Sequence, residues 1–311
     1  DNLYLNSKIF PITAILFTSL LAIIINMYPL FFDRSMNYAA GLPMLYDTLG
    51  WMPGYNFNGF FENFRGADVA AHQWIFSPMS MIVHQSVFTY NEFPFWNRFV
   101  AGGVPLYGQG YSMLGDPVQW ITVIFNGSSV AWDTKFAISK LIFSLGCGLL
   151  GFKISKRIEI GLLIAFMAPF IGFYTHVFNH PNYFSLTYLP LGILQWIRFT
   201  EIINSQHKTN INLFFNFILT AVVMWLIINS SQTKEGVIAF AFIFGWGILH
   251  LLLSIYQNYE KKDVFLTVLI CIAAITFFVS PYIIIFLGSL FESATSYDGI
   301  VPTDPYPTSL I

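Results

Sequence analysis

Residues 9–32 read IFPITAILFTSLLAIIINMYPLFF, a run without one charged side chain. A helix needs ~20 mostly apolar residues to cross a bilayer, and this run has them. Six further segments have this character, at about 134–153, 158–178, 183–199, 211–230, 236–256 and 264–291. The segment 183–199 is short and contains Pro190. The last is long and contains Pro281, where a kink or tilt is expected. The composition agrees: mean hydropathy is +0.63, and charged residues make up 10% of the chain, against roughly a quarter in a soluble domain. The fold class expected is an all-α polytopic membrane bundle of about seven spans.

Charge placement sets the expected orientation. With the N-terminus inside, the inner loops carry Lys8, Lys153, Lys156, Arg157, Arg198, Lys208, Lys261 and Lys262. The outer side carries Arg34, Arg65, Arg98, Lys135 and Lys234, and Lys140 falls within a span; together these are the chain's 14 basic residues. The outer cations are spread over a long loop, so the density of charge favours a cytoplasmic N-terminus. The chain then divides into a first transmembrane helix (1–32), an extracytoplasmic loop (33–133), a six-helix transmembrane region (134–291) and an extracytoplasmic segment (292–311). That last segment carries Pro302, Pro305 and Pro307 and stops as if within a loop, so the expectation is a piece of a longer protein. The first span is too long for a signal h-region, and no cleavage site follows it.

The loop 33–133 is too aromatic for a solvated linker. Ile75, Met79, Val83 and Val87 recur at helical spacing, which predicts one or two interfacial helices within Ala67–Tyr90, interrupted at Pro78. Val118–Phe125 is apolar but too short to span, and is expected to be re-entrant or interfacial. Net charge is −2, so no basic surface argues for nucleic acid. Cys147 and Cys271 lie in apolar spans and suggest no disulfide framework. No phosphate-cradling loop, nucleophile elbow, metal-spaced Cys/His set or internal repeat is present.

Several polar residues stand out in so apolar a chain. Asp68 and His72 are i, i+4 neighbours and would share a helix face. A carboxylate beside an imidazole can act as general base or hold a divalent metal, Mg²⁺ or Mn²⁺; the same Asp also suits the start of an interfacial helix. Asp33 follows the first span, either as a polar stop or as a second acid at a reaction centre. Trp96, Asn97 and Arg98 precede the Gly102-Gly103 turn; an aromatic face stacks on sugars and Arg pairs with phosphate, or Trp96 anchors the loop at the headgroups. Asp116-Pro117 serves as a helix cap or as a site residue. Lys140 lies about two turns inside a span, where it either snorkels outward or meets a lipid phosphate. His176 and His180 are i, i+4 apart, with structural or substrate-lining roles weighed above metal binding. Lys234, in the turn Ser231–Glu235, would face an anionic carrier lipid or simply be part of a polar turn. His84, His207 and His250 show no partner in the sequence.

Taken in order, Asp68 and Gln73, the Pro94-x-Trp96-Asn97 stretch, Gly102-Gly103-x-Pro105, and Tyr111 followed by Asp116-Pro117 resemble the YfhO-like bacterial membrane proteins of the GT-C glycosyltransferase class. His180 with Tyr188-Leu189-Pro190-Leu191 resembles a later helix of that family, and Ser230-Ser231-Gln232 stands where the family often has a Gly-His-Pro-Gln-like turn, here without the Gly-His-Pro. The resemblance covers roughly residues 60 to 240, the N-terminal part of a longer architecture. It implies transfer of a sugar from a polyprenyl-phosphate carrier to an envelope acceptor at the outer face of the bacterial inner membrane. Asp68 is implied as the base or metal ligand, with Asp33 in reserve. His72, Gln73, Trp96, Asn97, Arg98, Tyr111, Asp116, Lys140, His180, Gln232 and Lys234 are implied to bind substrate. Two rivals remain from the residues alone: a flippase for a lipid-linked glycan, and a non-catalytic subunit of a larger membrane complex.

Overall fold

The computed structural model describes residues 2–32, 76–99, 104–106, 112–171, 181–205, 210–231 and 233–257, with scattered helical positions between 269 and 288. These residues are almost wholly helical. Helix α1 (Asn2–Asn26) ends in a 3-10 turn, Tyr28–Phe32. A loop layer follows: α2 (Ser77–His84) with a π-helical extension (Gln85–Thr89), strands β1 (Trp96–Asn97) and β2 (Val104–Pro105), and α3 (Gln119–Ile124). The bundle continues with α4 (Ser129–Ser155), α5 (Ile158–Met167), a 3-10 stretch (Pro181–Tyr188), α6 (Leu189–Asn204), α7 (Asn210–Asn229) and α8 (Thr233–Gln257).

Among the described residues, three helices are long and apolar enough to cross a membrane: Ser129–Ser155, Ile211–Asn229 and Glu235–Ser254. Phe10–Asn26 and Ile158–Phe170 are shorter apolar helices. The chain is therefore a helical membrane protein.

The sequence punctuates these helices legibly. Ser128 caps α4, its Oγ accepting from the Ala131 amide at 3.3 Å, so the helix begins at Ser129 rather than at residue 134. It ends at Lys156, which adopts φ +60° and donates its amide to the Phe152 carbonyl at 2.9 Å, the left-handed termination usually left to glycine. The segment expected at 158–178 stops being α-helical at Met167 and tightens to a 3-10 turn, Ala168–Phe170; Pro169 has no amide hydrogen with which to continue the ladder. The segment expected at 183–199 is instead a 3-10 turn followed by a helix to Asn204. Pro190 sits in its first turn, where a missing amide hydrogen costs nothing. Pro78 likewise falls in the first turn of α2. The interfacial helix expected upstream of it, and the Pro281 kink, fall outside the described residues.

Two groups of helices make the bundle. Helix α1 packs on α4 and α5, which pack on each other; α6, α7 and α8 form a second group, joined to the first where α6 meets α4. The second group holds the larger core, with Trp196, Phe199, Met224, Ile227 and Ile243 buried together. The first group carries a smaller one around Ile23, Met27, Trp132 and Phe136, into which Phe76, Met113 and Phe184 reach from the loop and turn segments. Glycines let the first group close. A Cβ on Gly148 of α4 would lie 2.7 Å from Ala165 of α5 and 2.7 Å from Ile15 of α1. The loop layer has its own core of Val83, Leu106 and Val123.

The helices alternate in direction, so one end of the bundle collects Tyr28–Phe32, the start of α4, the turn before α6 and the α7–α8 connection. The other end collects Lys153, Lys156, Arg157, Arg198 and Glu201, with Lys153 and Glu201 paired at 2.5 Å.

Candidate functional site

The acid of the Asp116-Pro117 stretch is buried, at 1% exposure. Its backbone carbonyl accepts from the Gln119 amide at 3.0 Å and its Oδ1 from the Val118 amide at 2.9 Å, so it opens α3 as an Asx turn. It does more than that. Oδ1 also accepts from the Tyr188 hydroxyl at 2.9 Å, and Ser230, whose hydroxyl donates to the Leu226 carbonyl, lies beside the carboxyl. Asp116 therefore ties the loop layer to the turn before α6 and to the end of α7. Next to it, the Gly115 carbonyl accepts from Trp225 Nε1 of α7 at 3.2 Å.

The second charge is Lys135, in the second turn of α4 and fully buried. Its Nζ donates to Gln119 Oε1 at 2.5 Å and to Met113 Sδ at 3.4 Å, and lies 4.1 Å from the centre of the Phe184 ring. The aromatic face offsets part of the lost hydration of the ammonium. Gln119 passes the network on: its Nε2 donates to Ser80 Oγ at 3.1 Å, and Ser80 Oγ and Thr122 Oγ1 share a hydrogen at 3.0 Å. Burial raises the Asp116 carboxyl above its usual range; the Lys135 charge, the Val118 amide and the Tyr188 and Ser230 hydroxyls pull it back. A charge is tolerated at such depth only when partners of this kind surround it.

The other expected site residues fare differently. Lys140 neither snorkels nor faces an open surface: it is buried, its Nζ donating to Asn26 Oδ1 of α1 beside the Phe136 ring. The helix begins early, which places this lysine too deep for its stem to reach the end of the bundle. Arg98 is paired with Glu92 and lies 4.9 Å over the Tyr90 ring. Asn97 is buried where β1 pairs antiparallel with β2; its Oδ1 accepts from the Phe99 amide at 3.0 Å, and its Nδ2 has no partner among the described residues. Trp96, its neighbour, points outward and is half-exposed. Lys234 falls in the first turn of α8 rather than in a loop. Asp33, Asp68, His72, Gln73, Tyr111, His176, His180 and Gln232 lie outside the described residues. Two histidines read as partnerless have partners: His84 Nδ1 meets the Val123 carbonyl at 2.8 Å, and His250 Nδ1 meets Thr200 Oγ1 at 3.2 Å. Among the described residues no three His, Cys, Asp or Glu side chains come together as a metal site.

Lys135 was expected on the outer side, at the start of a span, and sequence reasoning missed its role together with those of Gln119 and Ser80. One signal pointed to it. Trp132, Lys135, Phe136, Ser139 and Lys140 fall on one helix face once Ser128 is taken as the cap.

No protein-family model, curated protein or solved structure matches the chain.

Proposed function

We propose that the protein is a multi-pass protein of about seven spans in a bacterial inner membrane, with the N-terminus cytoplasmic and residues 33–133 outside. It transfers a sugar from a polyprenyl-phosphate carrier to an envelope acceptor. The observation that carries this reading is the buried network around Asp116 and Lys135. It holds Ser80, Met113, Asp116 and Gln119 of the loop against the end of the bundle that would face the outer leaflet, as a site assembled from loop and helices requires. The lysine- and arginine-rich opposite end fits the cytoplasmic side.

In this reading Asp68, with Asp33 in reserve, takes the proton from an acceptor hydroxyl. The acceptor oxygen bonds to the anomeric carbon while the bond from that carbon to the phosphate oxygen breaks, and the electron pair leaves with polyprenyl phosphate. Cations near the leaving group lower the cost of its charge. Arg98 and Lys140 are engaged by Glu92 and Asn26, so that role falls to Lys234 at the N-terminus of α8, where the helix dipole also favours an anion.

A second reading, a non-catalytic subunit of a larger membrane complex, is favoured by the same engagement of Arg98, Lys135 and Lys140 by protein groups. The test that separates the two is a glycan and carrier-lipid profile of cells with Asp68→Asn against wild type, at matched protein levels. Loss of one envelope sugar with accumulation of its polyprenyl-phosphate donor supports transfer. An unchanged profile overturns Asp68 as the base and favours the subunit.

A further inference from the structure

The loop layer turns aromatic side chains outward. Around the small core of Val83, Leu106 and Val123 it buries Ser80, Ser86, Asn97, Gln119 and Thr122, while Phe93, Phe95, Trp96 and Phe99 are all more than half exposed. Monomeric soluble proteins rarely show an apolar surface of this kind. Phe93 and Phe95 lie 4.3 Å apart between ring centres, Phe88 packs on His84 at 4.9 Å, and the Glu92 amide donates to the Ser86 carbonyl at 2.8 Å, holding the two stretches together as a ledge. The ledge is also continuous with a membrane-spanning surface. Met81 of α2 packs against the Gly127 turn. That turn leads into α4, whose first turn presents Val130 at 74% exposure, and Phe125 stands exposed just before it.

We propose that this ledge, from Met81 and Phe88 to Phe95 and Trp96, is a lipid-binding surface that sits in the outer boundary of the same leaflet that α4 enters. The occupant is lipid because the ledge extends the apolar band of a spanning helix and because its exposed side chains are aromatic. Tryptophan and phenylalanine at its edge are the residues that settle at the headgroup level. The charges along the ledge, Glu92 and Arg98, neutralise each other, so anchoring comes from apolar burial and is indifferent to lipid charge. The ledge would hold the loop at a fixed depth against the bilayer. This inference does not depend on the sugar-transfer reading.

The test uses the full chain with Cys147 and Cys271 replaced by alanine, reconstituted in phosphatidylcholine nanodiscs. An environment-sensitive fluorophore is placed at Phe95→Cys and, in a second variant, at Phe93→Cys. The expected result is that both labels lose most of their emission to a nitroxide on the upper acyl chain and are shielded from aqueous iodide. Replacing part of the phosphatidylcholine by phosphatidylglycerol leaves this unchanged. Labels quenched by iodide and not by the nitroxide overturn the proposal. Labels shielded from both quenchers also overturn it, because another protein segment then covers the ledge. Binding that appears only with phosphatidylglycerol would overturn the charge-independent form.

Discussion

Tyr188 donates its phenolic hydrogen to Asp116 Oδ1 at 2.9 Å across 72 residues of chain. The bond joins the turn that opens α6 to the loop that opens α3. Both groups are buried, so the phenylalanine variant leaves a carboxylate lacking one donor in a poorly hydrated place. Tyr188→Phe is expected to cost about 1.5–3 kcal/mol, the range for a hydrogen bond to a charged group. Thermal unfolding in detergent would show it, and an unchanged midpoint would mean that the remaining donors suffice.

Lys135 offers a stronger test. Lys135→Met removes the donor to Gln119 Oε1 and the nearby positive charge that lowers the Asp116 carboxyl. Breaking a buried charge arrangement from one side costs about 3–5 kcal/mol. Substituting Asp116→Asn in the same chain should restore part of that loss, since no buried carboxylate is then left without its counter-charge. The double variant and both single variants, compared by chemical unfolding, measure the coupling. Strict additivity would mean that the two charges do not act on each other.

Close helix packing predicts a contrast between two glycines. A Cβ at Gly148 meets Ala165 and Ile15 at 2.7 Å, whereas one at Gly245 meets nothing within 4 Å. Gly148→Ala should lose about 1–3 kcal/mol to overpacking. Gly245→Ala should be neutral or gain up to about 1 kcal/mol, since alanine is the better helix former. The same thermal assay reads both, and equal effects would contradict the close α1–α4–α5 contact.

Arg98 is the opposite case from Lys135, although the sequence presents both as cations of the outer side. Its ion pair with Glu92 is about half exposed, and such pairs contribute roughly 0–1 kcal/mol. Arg98→Ala should therefore leave the unfolding midpoint nearly unchanged. A loss comparable to that of Lys135→Met would mean that Arg98 has a partner beyond Glu92 and Tyr90.

That difference shows what the sequence can and cannot tell. Apolar runs and helix punctuation are local, so the helical membrane class, the start of α7 and the presence of α3 are readable from spacing. The role of Pro190 was harder, because a proline reads alike as a break and as a first-turn residue until its flanks are known. Asp116 was legible as a polar residue too scarce to ignore. Its partners were not, since Tyr188 and Lys135 reach it only through tertiary packing. Lys135 was legible as a lysine at the outer end of a span, but not as a buried one, since Met113, Gln119 and Phe184 reach it only through tertiary packing. Asp68, on which the chemical reading leans most, lies outside the described residues, so its standing still comes from sequence alone.

The buried carboxyl also makes stability depend on pH in a defined direction. Burial raises the Asp116 carboxyl above its ordinary value of 3.8, so the folded protein holds that proton at a pH where the unfolded chain has released it. The stability this group contributes is fully present below the ordinary value and is lost as pH rises through the raised one. Wild type should therefore gain stability relative to Asp116→Asn as pH falls through that window, with a constant difference above it. In Lys135→Met the carboxyl loses the charge that holds it down, so the upper edge of the window moves to higher pH. Unfolding midpoints in detergent across the pH range, taken for all three chains, give the answer. A wild-type slope that persists in Asp116→Asn would assign the titration to another group.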